Sequence, residues 1–154
     1  MENIYYVEIQ RKKNEALIES FIDYDALKLF KAEFTPKEPF LMEITEGKIL
    51  YDIVGFQDTA NFAISEKVLT LLKSHQISGW KGYEIEIKNS NQKYYGMQII
   101  GRCGKLISPK ERGPYIGLKF DFNNWDKSDF FSPEGTSVCL CNQRVKDILN
   151  SNKI

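Results

Sequence analysis

The chain has no long apolar run. Nothing in its 154 residues approaches the ~20 consecutive apolar residues that a membrane-spanning helix needs. It has no charge excess either. Twenty-one Lys and Arg stand against 21 Asp and Glu, which speaks against a dedicated nucleic-acid binder and against a polybasic membrane anchor. Histidine occurs once and cysteine three times. An odd cysteine count offers no disulfide framework. Cys139-x-Cys141, with Cys103 far away and a single His75, lacks the spacing of a zinc site. The first residues, Met1-Glu2-Asn3-Ile4-Tyr5-Tyr6, show no basic start followed by an apolar core, so no secretion signal is read there and a cytoplasmic location is expected. No linker, charge block or low-complexity tract divides the chain. Residues 1–154 are read as one domain, a size typical of one.

Aromatics are plentiful: 10 Phe and 8 Tyr within a hydrophobic content of 42%. They favour a well-packed core and argue against disorder. The densest cluster is Phe122-Asn-Asn-Trp-Asp-Lys-Ser-Asp-Phe-Phe131. A solvated loop would not carry Trp125, Phe130 and Phe131. A core strand would not interrupt them with Asp126, Lys127, Ser128 and Asp129. The segment reads as a fixed corner, its aromatics buried and its short polar side chains bonding the backbone.

The remaining pattern predicts an α+β fold. Ile4 to Ile9 is strand-like. Asp23 is placed to cap a helix through Ala26, Leu27, Phe30 and Phe34, stopped by Pro36 and Pro39. Phe40 to Thr45 and Lys48 to Val54 read as two strands of a hairpin turning at Glu46-Gly47. Ser65 is an N-cap, followed by Val68, Leu71, Leu72 and His75 at helical spacing. Tyr83, Ile85 and Ile87 alternate with Glu84, Glu86 and Lys88, a strand with one wet face. Tyr94 to Ile100 returns antiparallel to it. Residues 105–114 read as a loop, and Tyr115 to Phe120 as a short strand. An echo links Phe62–Ile77 to Cys139–Ile154: Val68/Val145, Leu72/Leu149, Ser74/Ser151 and Ile77/Ile154 coincide, with Ser65 and Asn142 as equivalent caps. Both stretches predict a short strand followed by a capped helix. The sum is a mostly antiparallel, curved sheet with two or three packed helices.

Candidate chemistry is sparse. His75 with a cysteine, or with Asp126 and Asp129, would serve a small hydrolase-type enzyme, yet no nucleophile motif surrounds any Ser or Cys. Asp121, Asp126 and Asp129 offer oxygen ligands without the spacing or the Gly of a calcium loop. Gly101-Arg102-Cys103-Gly104-Lys105 follows a strand but is not a Walker loop, and reads as a turn. No metal, cofactor or catalytic residue is therefore assigned. Arg102, Lys105, Lys110, Arg112 and Lys119, with Tyr94, Tyr95 and Tyr115 nearby, suit a single-stranded nucleic acid. They suit equally a protein partner met by charge complementarity, and zero net charge favours the protein.

Taken in order, Ile64-Ser-Glu-Lys-Val68 with its helix, Ser78-Gly79-Trp80, Gly101-Arg102-Cys103-Gly104 and Trp125-Asp-Lys-Ser-Asp-Phe-Phe131 resemble a bacterial immunity-protein family with a Trp-Asp-Gly-Ser-Asp-Phe-Phe signature, first catalogued as a domain of unknown function and assigned to polymorphic toxin systems. The resemblance covers residues 55–154, with 1–54 as a variable N-terminal part. Lys127 stands where the family usually has Gly. The resemblance implies a cytosolic binder of a cognate toxin domain, without catalysis. Trp80, Trp125, Asp126, Ser128, Asp129, Phe130 and Phe131 are expected to build the structural corner. Arg102, Lys105, Lys110, Arg112 and Tyr115, in the more variable charged loop, are expected to touch the partner.

Overall fold

A computed structural model describes residues 2–37, 39–106 and 122–154. In chain order the elements are β1 (Ile4–Tyr6), β2 (Leu17–Ser20), α1 (Ala26–Phe30), β3 (Phe40–Glu46), β4 (Ile53–Phe56), β5 (Phe62–Ser65), α2 (Glu66–Ser74), β6 (Trp80–Ile87), β7 (Tyr94–Ile99), β8 (Phe130–Phe131), β9 (Leu140–Asn142) and α3 (Gln143–Ser151). The α+β class expected from the pattern holds. The curved sheet does not: β2-β3-β6-β7-β5-β4 close on themselves as a six-stranded barrel, and β1-β9-β8 form a separate three-stranded sheet. Closure leaves the barrel no free edge.

The alternation in β6 is realised as predicted. Tyr83, Ile85 and Ile87 point into the barrel, while Glu84 and Glu86 face water. Its partner β7 runs antiparallel, with Tyr83 opposite Gly96 and Ile85 opposite Tyr94. Ile18, Phe40, Met42, Val54 and Phe56 complete the barrel interior. A second core lies between barrel and small sheet. Ile64, Met97 and Ile99 meet Phe130, Cys139, Cys141 and Val145 there, under α2 and α3.

Three expectations need correction. The first helix is capped by Asp25, whose side chain accepts the Lys28 N–H, and it lasts only to Phe30. The expected stripe is wrong too: Leu29 and Phe30 are buried, whereas Leu27 and Phe34 are exposed. Tertiary contacts end this helix. Gln98, fully buried in β7, donates its amide to the Leu29 and Phe34 carbonyls and accepts from Thr35. Ala32 turns to a φ of +62°. Second, Glu46-Gly47 does not make a hairpin. β3 pairs with β2 and β6, and β4 with β5 and, in parallel, β2. The earlier strand β2 thus lies between two strands that follow it. Third, His75 is not on the apolar stripe. It is the exposed C-cap of α2, and Ile77 is the residue that turns inward.

The repeated strand–helix pattern is present in space. β5–α2 and β9–α3 match in layout. The Ser65 side chain accepts the Val68 N–H, and the Asn142 side chain the Val145 N–H. Val68 and Val145 are both buried. All three cysteines are free and buried. Burial pushes the Cys103 and Cys141 thiols up to about 11 and raises Cys139 further. They are therefore protonated at neutral pH and poor nucleophiles. The strand expected over 115–120, and most of the loop over 105–114, lie outside the described residues.

Candidate functional site

Three of the four sequence motifs named above converge on one corner. It lies where the end of α2, the end of β7 and the segment 125–132 cross. Phe130 N–H donates to the Ser78 carbonyl, Ser132 N–H to Gly101, and Ile100 and Gly101 N–H both donate to Gly79. Gly79 and Gly101 are required by this crossing. A Cβ on Gly79 would lie 1.9 Å from the Phe130 carbonyl oxygen, and one on Gly101 would lie 2.0 Å from that same atom. Gly79 also holds a φ of +86°, which favours glycine.

The two acids of the signature bond within this frame. Asp126 receives the Arg102 N–H at 2.9 Å, and its other oxygen takes the Ser128 N–H and hydroxyl. Asp129, buried, receives the Ser78 N–H at 2.8 Å, the Ser78 hydroxyl at 3.1 Å, the Asn142 amide at 2.8 Å and the Arg144 guanidinium at 3.2 Å. Burial alone would raise both carboxyl pKa values. For Asp126 the bonds from Ser128 and Arg102 outweigh it, and for Asp129 those from Ser78, Asn142 and Arg144 do, so both are held below the ordinary aspartate value. Arg144 also donates to the His75 carbonyl. Asp129 therefore joins the cap of α3 to the end of α2.

The aromatics behave as expected. Phe130 and Phe131 are buried, and Trp125 packs on Phe131 with ring centroids 4.9 Å apart. Trp80 donates its indole N–H to the Ile77 carbonyl. Lys127 has a φ of +67° and lays its ammonium over the Trp125 ring. A left-handed lysine costs about 1 kcal/mol relative to glycine. The ring contact returns about 0.5–1 kcal/mol at an exposed site. Lys127→Gly is thus expected to leave thermal stability within about 1 kcal/mol of the parent, whereas Lys127→Val should cost more than 1 kcal/mol. Differential scanning calorimetry of the two variants checks this.

The residues expected to touch a partner fare differently. Arg102 turns inward: its guanidinium donates to the Ile99, Gly101 and Lys31 carbonyls. Lys31, buried beside it, donates to Ser132 and the Pro133 carbonyl. Burial, with Arg102 near, pushes the Lys31 ammonium down to about 8. Lys105 is exposed. Lys110, Arg112 and Tyr115 lie outside the described residues, as do Lys119 and Asp121. Among the described residues no three His, Cys, Asp or Glu side chains come together as a metal site. What links His75 to Asp129 is the His75 carbonyl, through Arg144. Among the described residues no helix is long and apolar enough to cross a membrane.

Sequence reasoning missed a surface on the far side. Phe21, Ile22 and Leu41 are 51%, 58% and 52% exposed. Phe21 N–H donates to the Leu41 carbonyl, and Leu41 stands opposite Glu86 in β6. One signal was available: Phe40 and Met42 flank Leu41, so strand alternation must turn Leu41 outward. No protein-family model matches the chain, and no curated protein matches it.

Proposed function

We propose that the chain is a binder without turnover, an immunity protein that neutralises a toxin domain by occupying its working surface. The reading rests on the resemblance to the polymorphic-toxin immunity family, and the observation that carries it is the exposed apolar row Phe21-Ile22-Leu41. Large apolar side chains grouped on a surface and rimmed by charge mark protein interfaces. The rim carries Glu19 facing Glu43 across β2 and β3, Glu86 beside Leu41, and one cation, Lys88, whose ammonium lies over the Phe21 ring. Directly opposed like charges weaken a sheet, and a cationic partner would relieve them.

The signature corner supports the same reading. Asp126 and Asp129 spend their acceptor capacity on backbone and neighbouring side chains, as packing residues do. Arg102, the first cation of the nucleic-acid alternative, is spent on carbonyls.

The test is affinity for the toxin domain encoded beside this chain. Phe21→Glu combined with Leu41→Glu should weaken binding at least 100-fold, measured by calorimetry, with the melting temperature unchanged. A parent chain that neither binds that domain nor protects cells from it would remove the immunity reading.

A further inference from the structure

A groove of about 540 Å³ runs between α2 and the outer face of β6. Its floor is Gly82, and Leu69, Trp80 and Tyr95 wall it. Gly82 is exposed, whereas Met97, its partner across the ladder, is packed under α2.

Nothing in the backbone requires a glycine here. Every other glycine among the described residues either holds a positive φ or would bring a Cβ to within 3.3 Å of a neighbour. Gly82 does neither. A Cβ there would touch Leu69 at 3.5 Å and Trp80 at 3.6 Å, ordinary van der Waals distances. A glycine inside a strand weakens it, and where neither φ nor crowding demands one it marks a place that another group approaches closely. The walls suit such a group. Trp80 and Tyr95 are only half-buried, and the Trp80 indole is held by its bond to the Ile77 carbonyl. Fixed aromatic rings around an open floor are the lining of a pocket that takes an apolar anchor.

The Trp80 end of the groove is positive. Lys73, one helical turn beyond Leu69, and Lys81, next to Trp80, both line it and are exposed. Among the described residues neither ammonium pairs with a carboxylate. The one carboxylate in the lining, Glu84, stands about 7 Å from Gly82 at the other end, opposite Tyr95. Two cations without a counter-charge fit an occupant that carries negative charge beside its apolar group.

The groove shares a face with the apolar row. Gly82, Glu84 and Glu86 take the same side of β6, and Glu86 stands opposite Leu41. Four residues of strand place the groove about 13 Å from Leu41. A stable complex covers about 800 Å² on each partner, a disc of about 16 Å radius. A protein seated on Leu41 therefore reaches Gly82.

We propose that this groove receives an aromatic side chain of the partner protein that covers Phe21 and Leu41, with an acidic residue beside that ring meeting Lys73 and Lys81. The proposal rests on the binder reading and specifies its partner: an aromatic anchor in an acidic segment. The ring lies on Gly82 between Trp80, Leu69 and Tyr95.

The experiment titrates the isotope-labelled full chain with acetyl-Glu-Phe-Glu-amide, using acetyl-Lys-Phe-Lys-amide and acetyl-Glu-Ala-Glu-amide as controls. Saturable shifts are expected at the Gly82 and Tyr95 amides and at the Trp80 indole N–H with the first peptide alone. Gly82→Val fills the floor and should raise the dissociation constant at least tenfold. Lys73→Gln combined with Lys81→Gln should raise it at least threefold, as should added salt in the parent. Should Gly82→Val fail to fold, the lysine pair carries the comparison. Absence of saturable shifts at millimolar peptide overturns the proposal. Equal binding of the alanine peptide also overturns it, since no ring is then taken up, and so does equal binding of the lysine peptide. The two readings separate cleanly. If the toxin domain binds the parent and Gly82→Val equally well, the groove proposal falls and the immunity reading stands. If the peptide binds as expected but the toxin domain does not, the reverse holds.

Discussion

Asp129→Ala is expected to lower folding stability by about 1–3 kcal/mol. The carboxylate is buried and collects donors from Ser78, Asn142 and Arg144. Removing it leaves the buried Asn142 amide without a partner, at about 1–3 kcal/mol, while Ser78, an exposed residue, can turn its freed N–H to water. Arg144 is half exposed and returns to water at little cost. Asp129→Asn keeps the shape but turns donors towards donors, so it too should destabilise. The effect carries a pH signature. The folded carboxyl titrates below the ordinary aspartate value of about 3.9. Its contribution is therefore complete above that value and is lost as pH falls through the lower folded one. Urea unfolding should show the parent well above Asp129→Asn at pH 7, with the gap shrinking below about pH 4. A gap that stays constant down to pH 2 would mean that Asp129 acts through shape alone.

Gly79→Ala is expected to cost at least as much, through the backbone rather than through charge. The added Cβ would sit 1.9 Å from the Phe130 carbonyl oxygen and 2.8 Å from the Ser128 Cβ. Neither neighbour is free to move: Phe130 N–H is bonded to Ser78, and Phe130 is buried. The corner must open, and Phe131 and Trp125 lose packing with it. Truncating a buried Phe costs about 3–5 kcal/mol, which sets the scale. Gly135→Ala is the control. Gly135 has a φ of +70°, but a Cβ there meets nothing within 4 Å. It should lose only about 1 kcal/mol, the cost of a left-handed alanine. Similar melting temperatures for the two variants would show that the crossing of 79 and 130 is looser than its geometry.

Part of this architecture is legible in short stretches of chain. The period-two alternation of Tyr83, Ile85 and Ile87 specifies β6, because alternate side chains must take opposite faces. Ser65 and Asn142 specify where α2 and α3 begin, because a cap bonds an N–H three residues on. Asp126 and Asp129, set among large aromatics, signal a tied corner. The basic loop misled for the opposite reason. Arg102 looks exposed beside its glycines, yet its long side chain folds back onto the neighbouring Ile99 and Gly101 carbonyls and reaches the Lys31 carbonyl, which comes from a distant part of the chain.

By itself the sequence determined the α+β class, the caps, the alternating strand and the aromatic corner, all properties of residues within a few positions of each other. Only the tertiary structure decided that β2 lies between β3 and β4, that the barrel closes, and that α1 stops at Phe30. It also lined up Phe21 with Leu41. Each of these rests on pairing between segments far apart in the chain. Local propensity is the same for the correct and the incorrect partner, and loop-closure entropy changes only slowly with separation. The choice falls to the packed interior of Ile18, Met42, Val54 and Ile85, which buries all four side chains only when the strands take this order.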